Sequence, residues 1–220
     1  MAYGSAMKRL SPCSNELIGD EIAKINAAPK SILDIGCGRG ERLIYLRGRF
    51  CDCRLAGLDF DEENAAASAA NLPECDIRCC SAQEIPFADD SFDILLCECS
   101  FSLFDEAEKC LAEMKRVLRS GGFLLLADLC TDDGLIHSAP DGEAIKKLYS
   151  RTVLESMAAD AGFILKDYHD RRADLADMAA QMIFDGSFCS CVGENTAKML
   201  FRLKAGYGLW IFEKGLNDNA

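Results

Sequence analysis

Short apolar, β-prone runs alternate along this chain with segments of helical periodicity, and that alternation limits the possible folds more than any other feature. The runs are Ile32–Ile35, Arg54–Leu58, Asp76–Cys79, Phe92–Cys97 and Phe123–Leu126. Each is short for a helix and long enough for a strand. Between them Glu63–Ala70 is rich in Ala. Ala107–Leu118 sets Cys110, Leu111, Met114, Val117 and Leu118 at helical spacings and stops at Gly121-Gly122. Leu17, Ile18, Ile22 and Ile25 mark another amphipathic helix near the start. Strands separated by helices pair in parallel through crossovers. The expectation is an α/β, Rossmann-like open sheet of about seven strands, mostly parallel, with helices on both faces. Past Asp128 the pattern predicts a loop at Thr131–Gly142, a helix at Ala144–Ala161, a strand at Ile164–Tyr168, a helix at Leu175–Phe184 and a last strand at Tyr207–Phe212. A single domain over 1–220 is expected, with a helical cap at 1–30, a cofactor-binding core at 31–128 and a substrate-side part at 129–220.

Composition removes several alternatives. Half the residues are hydrophobic and only 5 are Pro, which argues against disorder and low-complexity scaffolds. Against 24 basic residues stand 36 acidic ones, a net charge of −12 that repels a phosphate polyanion. Arg39, Arg42, Arg47 and Arg49 form the only early basic cluster, and Glu41 and Asp52 dilute it. Nucleic acid is not an expected partner. Nor is a membrane, since the runs Ile94–Cys97 and Phe123–Ala127 fall far below the roughly 18 apolar residues of a spanning helix. Met1–Ser14 holds no apolar stretch of export type, so a cytoplasmic location with reduced thiols is expected for the 13 cysteines. Oligomeric state has no signature in the sequence.

The first apolar run leads directly into Gly36-Cys37-Gly38-Arg39-Gly40, which opens a helical segment. An open parallel sheet binds nucleotide-like ligands at such a turn. Side chains at Gly36 or Gly38 would exclude a ligand and resist the dihedrals of a tight turn. Glu41 stands where a dinucleotide fingerprint carries its third glycine, and its charge would oppose a pyrophosphate. Asp59 follows nineteen residues after Gly40, at the end of the second run, placed to accept hydrogen bonds from both hydroxyls of a ribose. The other reading of Asp59 is a cap for the helix that starts near Asp61. A ligand with a ribose and no phosphate satisfies both the turn and the carboxylate.

These residues resemble the class I S-adenosylmethionine-dependent methyltransferases. Leu33 to Gly40 looks like their first motif and Gly57-Leu58-Asp59 like their second. Ser81 to Asp93 is similar to their adenine loop and fourth strand, and Met114 to Gly122 to the helix leading into their fifth strand. The resemblance runs from Ser31 to Asp128, and the tail from Phe184 to Phe212, with Cys97-Glu98-Cys99, looks like a bacterial small-molecule subgroup of the methyltransferase type 11 kind. It implies S-adenosyl-L-methionine as cofactor. Asp34, Gly36, Cys37, Gly38 and Gly40 would surround its methionine part, Asp59 the ribose and Phe60 the adenine. Ser81, Ala82 and Gln83 would complete the adenine side, and Cys97 would lie by the cofactor. Two departures stand out: Ser81 replaces a common Asp at the adenine amino group, and Ser120 replaces a Pro before the double glycine. A neutral acceptor at Ser81 is weaker than a carboxylate.

The implied reaction moves a methyl group to an O, N, C or S atom of a small molecule. Glu98 and His137 are the catalytic candidates and Ser102 and Phe104 the candidates for lining the substrate pocket. Carboxylate and imidazole groups at the carboxyl ends of the strands can orient or deprotonate an acceptor. The pairs Cys51/Cys53, Cys97/Cys99 and Cys189/Cys191, with Cys79-Cys80, lack the usual zinc spacing, and no metal is assigned to them. On a strand, thiols two residues apart share one face, where they pack as small hydrophobes. Two other functions remain open: a binding module that keeps the cofactor without catalysis, and methylation of a thiophilic metalloid such as arsenite held by paired cysteines.

Overall fold

The computed structural model describes residues 11–185 and 193–215. Five strands, β1 (Ser31–Ile35), β2 (Arg54–Asp59), β3 (Asp76–Cys79), β4 (Phe92–Glu98) and β5 (Leu118–Thr131), run parallel in the order β3-β2-β1-β4-β5. β9 (Gly206–Lys214) then pairs antiparallel with β5, and β8 (Phe163–Asp170) antiparallel with β9. These are the seven strands of the expected sheet. Two more, β6 (Ile136–Ser138) and β7 (Lys147–Ser150), form a hairpin, and β7 joins β5 at Cys130 and Thr131.

Every residue of β1 is buried, and alternate residues serve two cores. Leu33 and Ile35 enter one with α4 (Ala107–Val117) and α5 (Arg151–Asp160), while Ile32 enters the other with α1 (Asn15–Ile25) and α2 (Glu41–Arg49). The period-two alternation of a strand and the burial of both sheet faces follow together. α4 buries Cys110, Leu111, Met114 and Val117, the stripe read from sequence. α3 (Glu62–Asn71) crosses between β2 and β3, and Asp61 caps it by accepting from the Asn64 N–H at 2.9 Å. Asp59 is therefore released from the capping role.

Past β5 the expectations need correction. The stretch expected as one helix from Ala144 is β7 followed by α5. The Ser150 hydroxyl accepts from the Val153 N–H at 3.3 Å and starts the helix there. The expected loop at 131–142 contains β6, which exists because β7 lies beside it. Among the described residues the sheet therefore has nine strands, the seven expected and this hairpin. β5 begins at Leu118, five residues before the expected strand, and α6 spans Arg172–Asp185. A further helix, α7 (Glu194–Arg202), was not anticipated. Among the described residues no helix is long and apolar enough to cross a membrane.

Candidate active site

The carboxyl ends of β1, β2 and β4 meet around the glycine turn. Gly36, Gly38 and Gly40 all have positive φ, at 76°, 54° and 87°, which L residues with a Cβ adopt at a cost. Their surroundings differ. A Cβ on Gly36 would lie 2.1 Å from Ser100 Oγ, and one on Gly40 would lie 2.6 Å from Ser68 Oγ. Around a Cβ on Gly38 there is no atom within 4 Å. Gly36 and Gly40 are glycines so that the protein can pack against its own turn. Gly38 alone presents bare backbone to open space, which divides the role that the sequence had given jointly to Gly36 and Gly38.

Asp59 and the turn form one unit. Gly38 N–H donates to Asp59 Oδ2 at 2.8 Å, and Asp59 Oδ1 accepts from the Asp61 N–H at 2.9 Å. Gly36 and Cys37 N–H both donate to Leu58 O, at 2.8 and 2.9 Å. A carboxylate has about four acceptor positions, so Asp59 keeps capacity for a ligand hydroxyl. Phe60, next in sequence, is 83% exposed, an unusual setting for a large aromatic side chain and one suited to stacking on a planar ring. Beyond β3, Ser81 Oγ accepts from the Gln83 N–H at 3.2 Å, and Ala82 is buried in the core.

Beneath the turn lies Asp34, 5% exposed. Burial pushes its carboxyl up to about 7, opposed by the nearby Arg42 guanidinium and reinforced by Glu98 and Asp59. Cys37 packs inward against Ser68, and burial pushes its thiol up to about 12. The Cys97 side chain is fully buried in the core shared with α4. A cofactor contact by Cys97 would therefore fall to its backbone and not to its sulfur.

Glu98, expected to act on substrate, has both oxygens engaged. Arg42 donates to Oε2 through Nε at 3.1 Å and also through Nη2, and the Ser11 hydroxyl donates to Oε1. Ser102 is buried and turned to the end of β5, where its N–H and Oγ donate to Asp128 at 2.8 and 3.0 Å. Its hydroxyl is thus engaged with Asp128. Asp128, which sequence reasoning missed, also accepts from the Leu129 N–H at 2.7 Å. Burial pushes it up to about 6 against those hydrogen bonds. A carboxylate at the end of an otherwise apolar strand was the signal that could have found it. Phe104 is half-buried and packs edge-on against Phe101.

His137 stands on β6. Its Nε2 is 2.7 Å from Asp133 Oδ2, while Asp133 Oδ1 accepts from Thr131 Oγ1 at 2.9 Å and the Leu135 N–H at 3.1 Å. Against desolvation, these bonds hold Asp133 below the usual carboxylate range. The hairpin that carries His137 is tied to the segment after β4, since Lys146 N–H donates to Ser102 O at 2.8 Å. The other histidine, His169, lies on the outer strand β8 near Asp167 and Glu21.

Cys97 and Cys99 do not share a face. Cys99 lies one residue past β4 with φ at 52°, which turns its sulfur to the opposite side, 3.0 Å from Tyr207 Oη. Burial pushes both thiols well above their ordinary range. Neutral thiols on opposite sides make a poor soft-metal pair. Cys189 and Cys191 lie outside the described residues, among which no group of three metal-ligating side chains assembles.

Residues 33–126 match a family model described as a methyltransferase domain. Over 133 residues the chain is 29% identical to phthiotriol/phenolphthiotriol dimycocerosates methyltransferase 1 of Mycobacterium ulcerans. That alignment covers 59% of this chain and only 49% of that protein, about half the relative's length. Among solved structures, geranyl diphosphate methyltransferase in complex with SAM superposes with a TM-score of 0.72 at 18% identity, over 91% of this chain and 84% of that one. The [4+2]-cyclase SpnF superposes with a TM-score of 0.70 at 18% identity, over 97% and 89%. At such identities the two structures share the fold with this chain. Residues 33–126, which carry the ordered motifs, thus match a methyltransferase domain, and the chain shares its fold with these solved structures.

Proposed function

We propose that the protein binds S-adenosylmethionine across the glycine turn and Asp59 and transfers its methyl group to a small molecule. The observation that carries this reading is the direct bond from Gly38 N–H to Asp59 Oδ2 beside a glycine with open space on its Cβ side. The residues fit the cofactor: bare backbone for close approach, a carboxylate with spare acceptor positions for ribose, and the buried Asp34 carboxyl for a cationic ligand. When bound, the cofactor supplies a methyl group already activated by its sulfonium. What remains for the chain is orientation and exclusion of water, and positioning of reactants contributes up to roughly 7–11 kcal/mol in favourable cases. Asp59 fixes the ligand's ribose and the turn at Gly38 its methionine part. The segment after β4, braced by Ser102 and Asp128, fixes the acceptor side.

For acceptors that must lose a proton, His137 is the candidate base. Asp133 holds Nε2 and fixes the ring, which leaves Nδ1 as the accepting nitrogen. Glu98 is ill suited to that task because Arg42 and Ser11 already occupy it. Nothing in the charge pattern favours nucleic acid as acceptor.

Calorimetry with S-adenosylmethionine and S-adenosylhomocysteine tests the reading. Binding by the wild type and its loss in Asp59→Ala are expected, and no binding of either ligand at millimolar concentration would overturn it. Transfer of labelled methyl to a small-molecule acceptor panel then separates an enzyme from a non-catalytic binding module.

A further inference from the structure

Arg42 and Glu98 are charged groups for which the proposed chemistry has no use, yet three separate stretches of chain converge on them. Glu98 closes β4, on the sheet face that also carries Asp34. Arg42 lies two residues after Gly40, in the first turn of α2. Their side chains are only 14% and 10% exposed. The guanidinium donors not spent on Glu98 reach residues before α1: Nη1 donates to Asn15 Oδ1 at 2.7 Å and Nη2 to Cys13 O at 3.0 Å. Ser11 Oγ donates to Glu98 Oε1 and accepts from the Cys13 N–H at 3.1 Å. Farther along, α1 lies beside α2, with Asp20 accepting from Arg49 at 2.6 Å. Residues 11–15 are thus hydrogen-bonded to both members of the ion pair, Ser11 to Glu98, and Cys13 and Asn15 to Arg42.

A buried ion pair is a weak way to add stability, because desolvation offsets much of its attraction, but it is exacting about geometry. Arginine's planar fork suits a contact in which several acceptors must be held in one arrangement. Cys13, which Arg42 ties down, is itself buried in the core to which α1, α2 and β1 contribute.

We infer that Arg42 and Glu98 form a clasp that holds residues 11–15 closed over the mouth between the glycine turn and the end of β4, with Arg42 as the positioning residue. The inference rests on the methyltransferase reading. Closed, the clasp slows departure of the bound cofactor. It touches no reacting atom, so its effect falls on ligand residence and not on the methyl transfer step.

The test measures the dissociation rate of S-adenosylhomocysteine by stopped flow, with hydrogen exchange of residues 11–19 recorded alongside, for the full chain and four variants. Asn15→Ala cuts one strap bond and leaves the ion pair. Its dissociation should quicken by up to about tenfold, the scale of one hydrogen bond. Arg42→Met should quicken it by more, with faster exchange at 11–19 and little change in association rate. Arg42→Lys keeps the charge and should recover part of the wild-type residence. Because Arg42→Met strands a buried carboxylate and can fail to fold, Arg42→Met/Glu98→Gln removes both charges and should keep the fast dissociation in a folded protein. Unchanged dissociation in Asn15→Ala and in the double variant, with exchange raised, overturns the clasp and leaves a purely structural contact. Absence of binding by the wild type overturns the methyltransferase reading and the clasp together.

Discussion

Substituting Ala at Gly36 and at Gly38 should separate folding from binding, although the two positions lie two residues apart in one turn. Both have positive φ, so Ala costs about 1–2 kcal/mol of backbone strain at either. At Gly38 that is the whole cost to the fold, because no atom lies within 4 Å of the new methyl group. At Gly36 the methyl group meets Ser100 Oγ at 2.1 Å and Ser100 Cβ at 2.8 Å. Overpacking of this kind adds roughly 1–3 kcal/mol, for a total of about 2–5 kcal/mol. The ligand sees the reverse. A methyl group on Gly38 enters the space assigned to the cofactor, and the same overpacking scale corresponds to a loss of affinity of roughly 10- to 100-fold. Urea denaturation measures the first quantity and calorimetric titration with S-adenosylhomocysteine the second. Ser100→Ala in the Gly36→Ala background should restore part of the lost stability. The reasoning fails if Gly38→Ala binds as tightly as wild type, or if Gly36→Ala is no less stable than Gly38→Ala.

Asp34 predicts a proton linkage. Its folded value of about 7 lies above the ordinary carboxyl value near 4, so the folded state holds the proton more tightly and stability declines as pH rises from about 4 to 7. Asp34→Asn should flatten that decline, by on the order of 2–3 kcal/mol between pH 5 and 8, in denaturation curves taken at those two values; an unchanged decline refutes the assignment. A cationic ligand favours ionised Asp34, so calorimetry near pH 6.5 in buffers of different ionisation enthalpy should show proton release upon binding. Asp128→Ala leaves the buried donors of Ser102 and Leu129 unmet, at roughly 1–3 kcal/mol each, and should lower the melting temperature more than Ser102→Ala does. Ser150→Ala removes the cap of α5 and should cost about 1 kcal/mol in urea denaturation, whereas no change would place the helix start elsewhere.

The sequence was most readable where local pattern and tertiary demand coincide. β1, β2, β4 and α4 are short or strongly periodic elements, buried as their residues suggest, and the turn at 36–40 announces itself through glycine. Where an element exists only because of a distant neighbour, reading failed. Lys147-Leu148-Tyr149 carries no strong strand signal and becomes β7 through β5 and β6. The capping Ser150 was the local cue that the helix begins there and not at Ala144. The site shows the same division. Asp59 and Gly38 are recognisable by spacing, and their hydrogen bond joins them. The pairing of Glu98 with Arg42, across fifty-six positions, has no local trace and converts an apparent catalytic carboxylate into an engaged one. Likewise the positive φ of Cys99, which sends it away from Cys97, cannot be read from strand alternation.

A structure of the protein crystallised with S-adenosylhomocysteine tests the central claim most directly. The account predicts ribose hydroxyls on the Asp59 carboxylate and the ligand's backbone-contacting edge against Gly38, within one continuous cavity. A ligand seated elsewhere, or a turn at 36–40 that stays bare at saturating ligand, would contradict it.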